Sequence, residues 1–148
     1  MTPILCVDPG ASGGFAVRGA GGAISAAPMP EGMTAQLDTI RAMAAYNPGL
    51  TAILEKVGFH RPGNSAVSTA KFARHCGHLE AALYSFGVPF EEVAPRTWMK
   101  ALGALPADKT ARKNAIKENV ARRFPHLTVT LKTADALGML IYAMNRSN

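Results

Sequence analysis

Three carboxylates in this 148-residue sequence stand where a fold can use them together. Asp8 closes the apolar run Ile4, Leu5, Cys6 and Val7, and Glu55 closes the run that begins at Leu50. Short apolar runs with a polar stop are expected for strands buried on both faces, so each acid is assigned to a strand's carboxyl end. The repetition predicts two adjacent strands presenting carboxylates at one edge of one sheet. The third acid, Asp135, falls near the N-terminus of the last predicted helix, opposite its apolar positions Leu137, Leu140, Ile141 and Met144. Two chemistries fit Asp8. An Asp before Pro9-Gly10 caps a turn. Alternatively it is a metal-binding carboxylate fixed by a rigid strand, with the following glycines letting a phosphate approach the backbone.

The elements that must position these acids can be read in order. Residues 4–17 form a predicted hairpin, its turn punctuated by Pro9-Gly10 and Gly13-Gly14. Residues 23–27 add a third strand. Thr34 is expected to cap a helix with Leu37, Ile40 and Ala44 at helical spacing, and Asn47-Pro48-Gly49 stops it. After the strand ending at Glu55, Gly58, Pro62 and Gly63 mark a loop that carries Phe59, His60 and Arg61 outward. A long helix over 65–86 has an apolar stripe of Phe72, Cys76, Leu79, Leu83 and Phe86, and a polar stripe of Lys71, Arg74, His75 and His78. Its third face, Ala70, Ala73, Gly77 and Ala81, is small enough for another backbone to approach, from a dimer partner or from the sheet beneath. The i, i+3 pair His75 and His78 lacks a third metal ligand and reads as a polar or DNA-facing surface.

Residues 89–93 are a predicted strand, and a short helix over 96–102 holds Trp98, read as a packing residue. Asp108 is expected to cap a helix ending at Phe124, with Ile116, Val120 and Phe124 as its core row. The first turns of that helix, with Lys109, Arg112 and Lys113, have no apolar face and are expected to project. A loop or short strand over 125–131 leads to the last helix, 133–145. This order of strands and helices predicts an α/β fold with a mixed sheet.

The length suits one domain, residues 1–148, with a real hydrophobic core. No apolar run approaches a bilayer-spanning length and no secretory leader precedes the first strand, so the expectation is a cytoplasmic protein without membrane association. Cys6 and Cys76 read as core thiols, with no CxxC or Cys/His cluster around them. The net charge of +6 favours a polyanionic partner such as nucleic acid.

Taken together, ILCVDPGASG at the front, AILEKV in the middle and TADALGMLIYA at the end resemble RuvC-type Holliday junction resolvases, especially their phage and prophage members, within the ribonuclease H-like superfamily. VAPRTWMKALG followed by ADKTARKNA resembles the family's segment after the fifth strand. The likeness spans almost the whole chain. It implies a mixed five-stranded sheet flanked by helices, a homodimer acting on branched DNA, and phosphodiester hydrolysis with two Mg²⁺ ions per site, Mn²⁺ being an alternative. By position, Asp8 would bridge the ions and Glu55 and Asp135 would each hold one side, which suits a hard cation that takes oxygen ligands. Phe59 corresponds to an aromatic that probes the junction centre, where stacking is indifferent to sequence. Lys100 and Lys109 resemble phosphate contacts, and Arg61, Lys71, Arg74, Arg96, Arg112 and Lys113 extend that basic surface.

One position departs from the pattern. Lys132 stands three residues before Asp135, where the family has a second acid or a His, and a charged lysine cannot ligate Mg²⁺. Three carboxylates and water then hold the second ion, or the Lys132 ammonium supplies part of its charge, or activity is reduced or lost. Actin-like ATPases and sugar kinases share the opening phrase but need two such domains and a second phosphate loop. A ribonuclease H-like enzyme acting on RNA, and a junction-binding protein without catalysis, are the remaining alternatives.

Overall fold

The computed structural model describes residues 1–58 and 62–147. Strand β1, Ile4–Asp8, pairs antiparallel with β2, Gly14–Arg18, which pairs antiparallel with β3, Ile24–Pro28. This is the expected meander. On the other side of β1 lies β4, Thr51–Glu55, in parallel register, followed outward by β5, Phe90–Val93, also parallel. The sheet order is β3-β2-β1-β4-β5. Leu5, Cys6, Val7, Ile53 and Leu54 are all at most 1% exposed, so β1 and β4 are buried on both faces, as their unbroken apolar runs require.

Because β1 and β4 are parallel with Val7 opposite Leu54, the next pair outward is Asp8 and Glu55. Neighbouring strands lie about 4.8 Å apart, so both acids leave the sheet at one edge. Helices cover both faces. Helix α1, Met33–Tyr46, and helix α2, Ala66–Ser85, pack over Leu5, Val7, Phe15 and Leu54. The opposite core, around Cys6, Ala16 and Ile53, is covered by three further helices. These are α3, Pro95–Met99, continued by a 3₁₀ turn over Lys100–Leu102; α4, Lys109–Arg123; and α5, Leu131–Arg146.

The helix ends follow from local chemistry. Ser65 caps α2 by accepting from the N–H of Ser68, and Asp108 caps α4 by accepting from the N–H of Ala111. Two expected boundaries move. Helix α1 starts at Met33 behind Gly32, whose φ of 85° turns the chain into the helix, so Thr34 is a helical residue rather than the cap. Helix α5 starts at Leu131, two residues early, because Thr130 and Thr133 form a reciprocal capping box. Both cysteines are buried in the core, and burial pushes the Cys6 thiol far above its ordinary value, consistent with an inert core residue. Among the described residues no helix is long and apolar enough to cross a membrane.

Candidate active site

The two strand-end acids open into a cleft of about 410 Å³ whose lining includes Asp8, Glu55 and Asp135. A close approach brings the third acid in. Gly14, paired with Asp8 across the hairpin, faces the first turn of α5, and a Cβ there would lie 2.6 Å from the Lys132 carbonyl oxygen and 2.6 Å from that of Ala27. Only glycine lets the helix end settle against the strand at that point, and the settled helix turns Leu131, Ala134 and Asp135 toward the cleft.

Each acid has a distinct environment. Asp8 and Glu55 are 9% and 7% exposed. The indole N–H of Trp98, itself fully buried, donates to Oε2 of Glu55 at 2.7 Å. Burial raises the Asp135 carboxyl above its usual range, opposed by the cationic side chains of Lys113 and Arg112. Among the described residues no three His, Cys, Asp or Glu side chains form a ready-made metal cluster. The donor set nevertheless fits Mg²⁺, which keeps several waters and is held by one or two carboxylates plus substrate phosphate rather than by an all-protein cage. A cleft of this volume has room for both.

The basic residues divide. Lys109 and Lys113, one turn apart on α4, line the cleft beside the acids, so the turns expected to project also form one wall of the site. Arg112 is outside the cleft lining and donates to the Ala107 carbonyl at 2.8 Å, near enough for its charge to act on Asp135. Lys71, Arg74, Arg96 and Lys100 are exposed on α2, α3 and the 3₁₀ turn, outside the cleft lining. Lys132 is exposed, and the cleft takes its α5 lining from the neighbouring Leu131, Ala134 and Asp135. Phe59 and Arg61 lie outside the described residues.

Two sets of residues that the sequence did not assign to the site belong to its surroundings. Phe72, read as part of the apolar stripe, lines the cleft. His75 and His78, read as a polar or DNA-facing surface, turn inward and share the side-chain oxygen of Gln36 on α1 at 3.1 and 2.6 Å. The available signal was their place beside the apolar stripe of α2, which points partly toward the core. Nothing in the pattern of α1 marked Gln36.

No protein-family model matches the sequence, and a search of curated proteins finds no match. Solved structures do match. The Thermus thermophilus RuvC structure aligns with a TM-score of 0.59 at 19% identity, covering 99% of this chain and 95% of that one. T. thermophilus RuvC in complex with Holliday junction substrate aligns at 0.62 and 17% identity, with the same two coverages. The chain thus has the RuvC fold, a ribonuclease H-like mixed sheet that, among the described residues, has five strands flanked by five helices.

Proposed function

We propose that this chain is a metal-dependent endonuclease that cuts four-way or otherwise branched DNA by phosphodiester hydrolysis, as a RuvC-type resolvase. The observation that carries the reading is that one cleft takes its lining from all three acids, Asp8, Glu55 and Asp135, and also from Lys109 and Lys113. An acidic floor with a basic wall suits a site that seats divalent cations against a phosphate. A full-length structural likeness to a protein solved with a Holliday junction adds support.

Asp8, Glu55 and Asp135 would hold Mg²⁺ or Mn²⁺, which when bound supplies water activation and charge stabilisation at the leaving oxygen. The remaining chemistry belongs to the chain's own groups. Trp98 fixes the orientation of Glu55 through its indole N–H. Lys109 and Lys113 meet the phosphate backbone, and the exposed Lys71, Arg74, Arg96 and Lys100 extend the grip on DNA outside the cleft. Phe59 is assigned to the junction centre on the sequence resemblance, and Arg61 to the DNA-binding basic surface. Two copies of the chain acting on two strands of one junction would meet through the exposed small-residue face of α2 at Ala70, Gly77 and Ala81. The protein would work in the cytoplasm of a bacterial or phage-infected cell.

Lys132 favours a second reading, a junction-binding protein without catalysis, because it replaces an expected ligand with a cation. Cleavage of a synthetic four-way junction in Mg²⁺ and in Mn²⁺, by wild type, Asp8→Asn and Lys132→Asp, decides between them. The nuclease reading expects metal-dependent cleavage by wild type and none by Asp8→Asn. Equal products from those two proteins end it. Tight junction binding with no metal-dependent cutting selects the binding protein, and preferential cutting of RNA selects a ribonuclease.

A further inference from the structure

The turn between Asp8 and Gly14 is tied both locally and from across the fold. Ala11 and Ser12 at its tip are exposed, and the Gly13 N–H donates to the Gly10 carbonyl at 3.0 Å. Gly10 sits at φ 111°, a conformation that brings no side-chain anchor with it. A longer tie comes from across the fold: the Gly10 N–H donates to Nε2 of His75 on α2, at 2.9 Å. Phe72, one turn earlier on α2, lies beneath the same glycine, 3.4 Å from where a Cβ would stand.

The hydrogen bonds around His75 permit one assignment of donors and acceptors. An Nε2 that accepts from Gly10 carries no proton, so in the neutral ring Nδ1 carries it and donates to Oε1 of Gln36 at 3.1 Å. His78 donates from Nε2 to the same oxygen at 2.6 Å. The Gln36 amide nitrogen, facing the other way, donates to the Pro30 carbonyl at 2.8 Å. Turning the Gln36 amide over would set two donors against each other at the His75 ring and two acceptors at Pro30. Gln36 is 7% exposed, so this arrangement is shielded from competing water.

We infer that His75, keyed into one tautomer by Gln36, is a positioning residue for the Asp8 turn, holding the Gly10 backbone in place so that the cleft keeps its shape. The inference rests on the endonuclease reading for its functional consequence, but the hydrogen bond itself is independent of it. Groups that orient a site's ligands without touching substrate typically change metal affinity or activity by about 10- to 100-fold when removed.

Two measurements test it. In wild type labelled with ¹⁵N, Nε2 of His75 should resonate as an unprotonated nitrogen, with scalar coupling across the hydrogen bond to the Gly10 amide. A protonated Nε2 or an absent coupling overturns the inference without any variant having to fold. In single-turnover cleavage of a four-way junction in Mg²⁺, His75→Leu should be slower by about 10- to 100-fold with junction affinity in Ca²⁺ unchanged. His75→Gln, whose amide oxygen can accept from Gly10, should recover most of the rate. Wild-type speed in His75→Leu, or equal slowness in a folded His75→Gln, overturns the positioning role. A wild type that cuts nothing overturns the endonuclease reading instead, and the nitrogen spectrum alone then decides whether the turn is held this way.

Discussion

Trp98 and Glu55, 43 positions apart in the chain, are joined by a buried hydrogen bond of 2.7 Å from the indole nitrogen to the carboxylate. The bond couples α3 to the end of β4 and leaves the acid one defined orientation toward the cleft. Trp98→Phe keeps most of the ring and removes only the donor. A hydrogen bond to a charged group is worth about 1.5–3 kcal/mol, so a stability loss of that order is expected in urea denaturation. Junction cleavage should fall by about 10- to 100-fold. Cleavage at the wild-type rate by Trp98→Phe would detach this bond from the site's function.

Gly138, one turn beyond Asp135 on α5, is what lets Trp98 lie where it does. A Cβ at 138 would stand 2.6 Å from Cζ3 of the indole and 3.2 Å from Cε3. The ring is fully buried and cannot swing away. Gly138→Ala should therefore destabilise the fold by about 1–3 kcal/mol, against the gain in helix propensity that the same change brings elsewhere. A chemical denaturation midpoint at or above that of wild type would contradict this packing.

Lys109 and Lys113 stand at the cleft wall, where a phosphate would meet them. Each phosphate contact on duplex DNA contributes about 0.9 to the slope of log affinity against log salt concentration. Replacing both lysines with alanine should flatten the slope for junction binding, measured in Ca²⁺, by about 2. An unchanged slope would assign DNA contact to the other basic residues.

His75 and His78 also predict how stability depends on pH. Burial is the larger cause lowering both imidazoles below their ordinary value of 6.5, with the charge of His78 acting on His75 and that of Arg74 on His78. The unfolded chain binds protons near pH 6.5 that the folded chain resists. Their contribution is therefore intact above that pH and is lost as pH falls through the lower folded values. The melting temperature should decline as pH falls below 6.5, and less steeply in a His75→Leu, His78→Leu double variant. Parallel declines in the two proteins would show that other groups set the acid limb.

Much of this site could be read from the chain. Asp8 and Glu55 were legible because a strand buried on both faces leaves an unbroken apolar run, and the residue that ends it marks the sheet's edge. Asp108 was legible as a cap because its side chain acts on a backbone N–H three residues away. Relations across the fold were not legible. The pairing of Trp98 with Glu55 depends on how α3 lies on α5, and Gln36 reads as an ordinary polar residue until α2 lays two imidazoles on it. Lys109 and Lys113 were read as a projecting helix end and, on the resemblance, as DNA contacts, but their place in the cleft wall was not legible because the rest of the cleft is built by residues far away in sequence. Thr34 misled for a local reason, since Gly32 had already turned the chain.

Trp98 is the only tryptophan in the sequence, and it is bonded to one of the three acids. The protein thus carries its own optical probe at the place of interest. Indole emission responds to charge brought near the ring, so a titration of Mg²⁺ or DNA into unlabelled protein, followed at a single wavelength, would read occupancy of the cleft through Glu55.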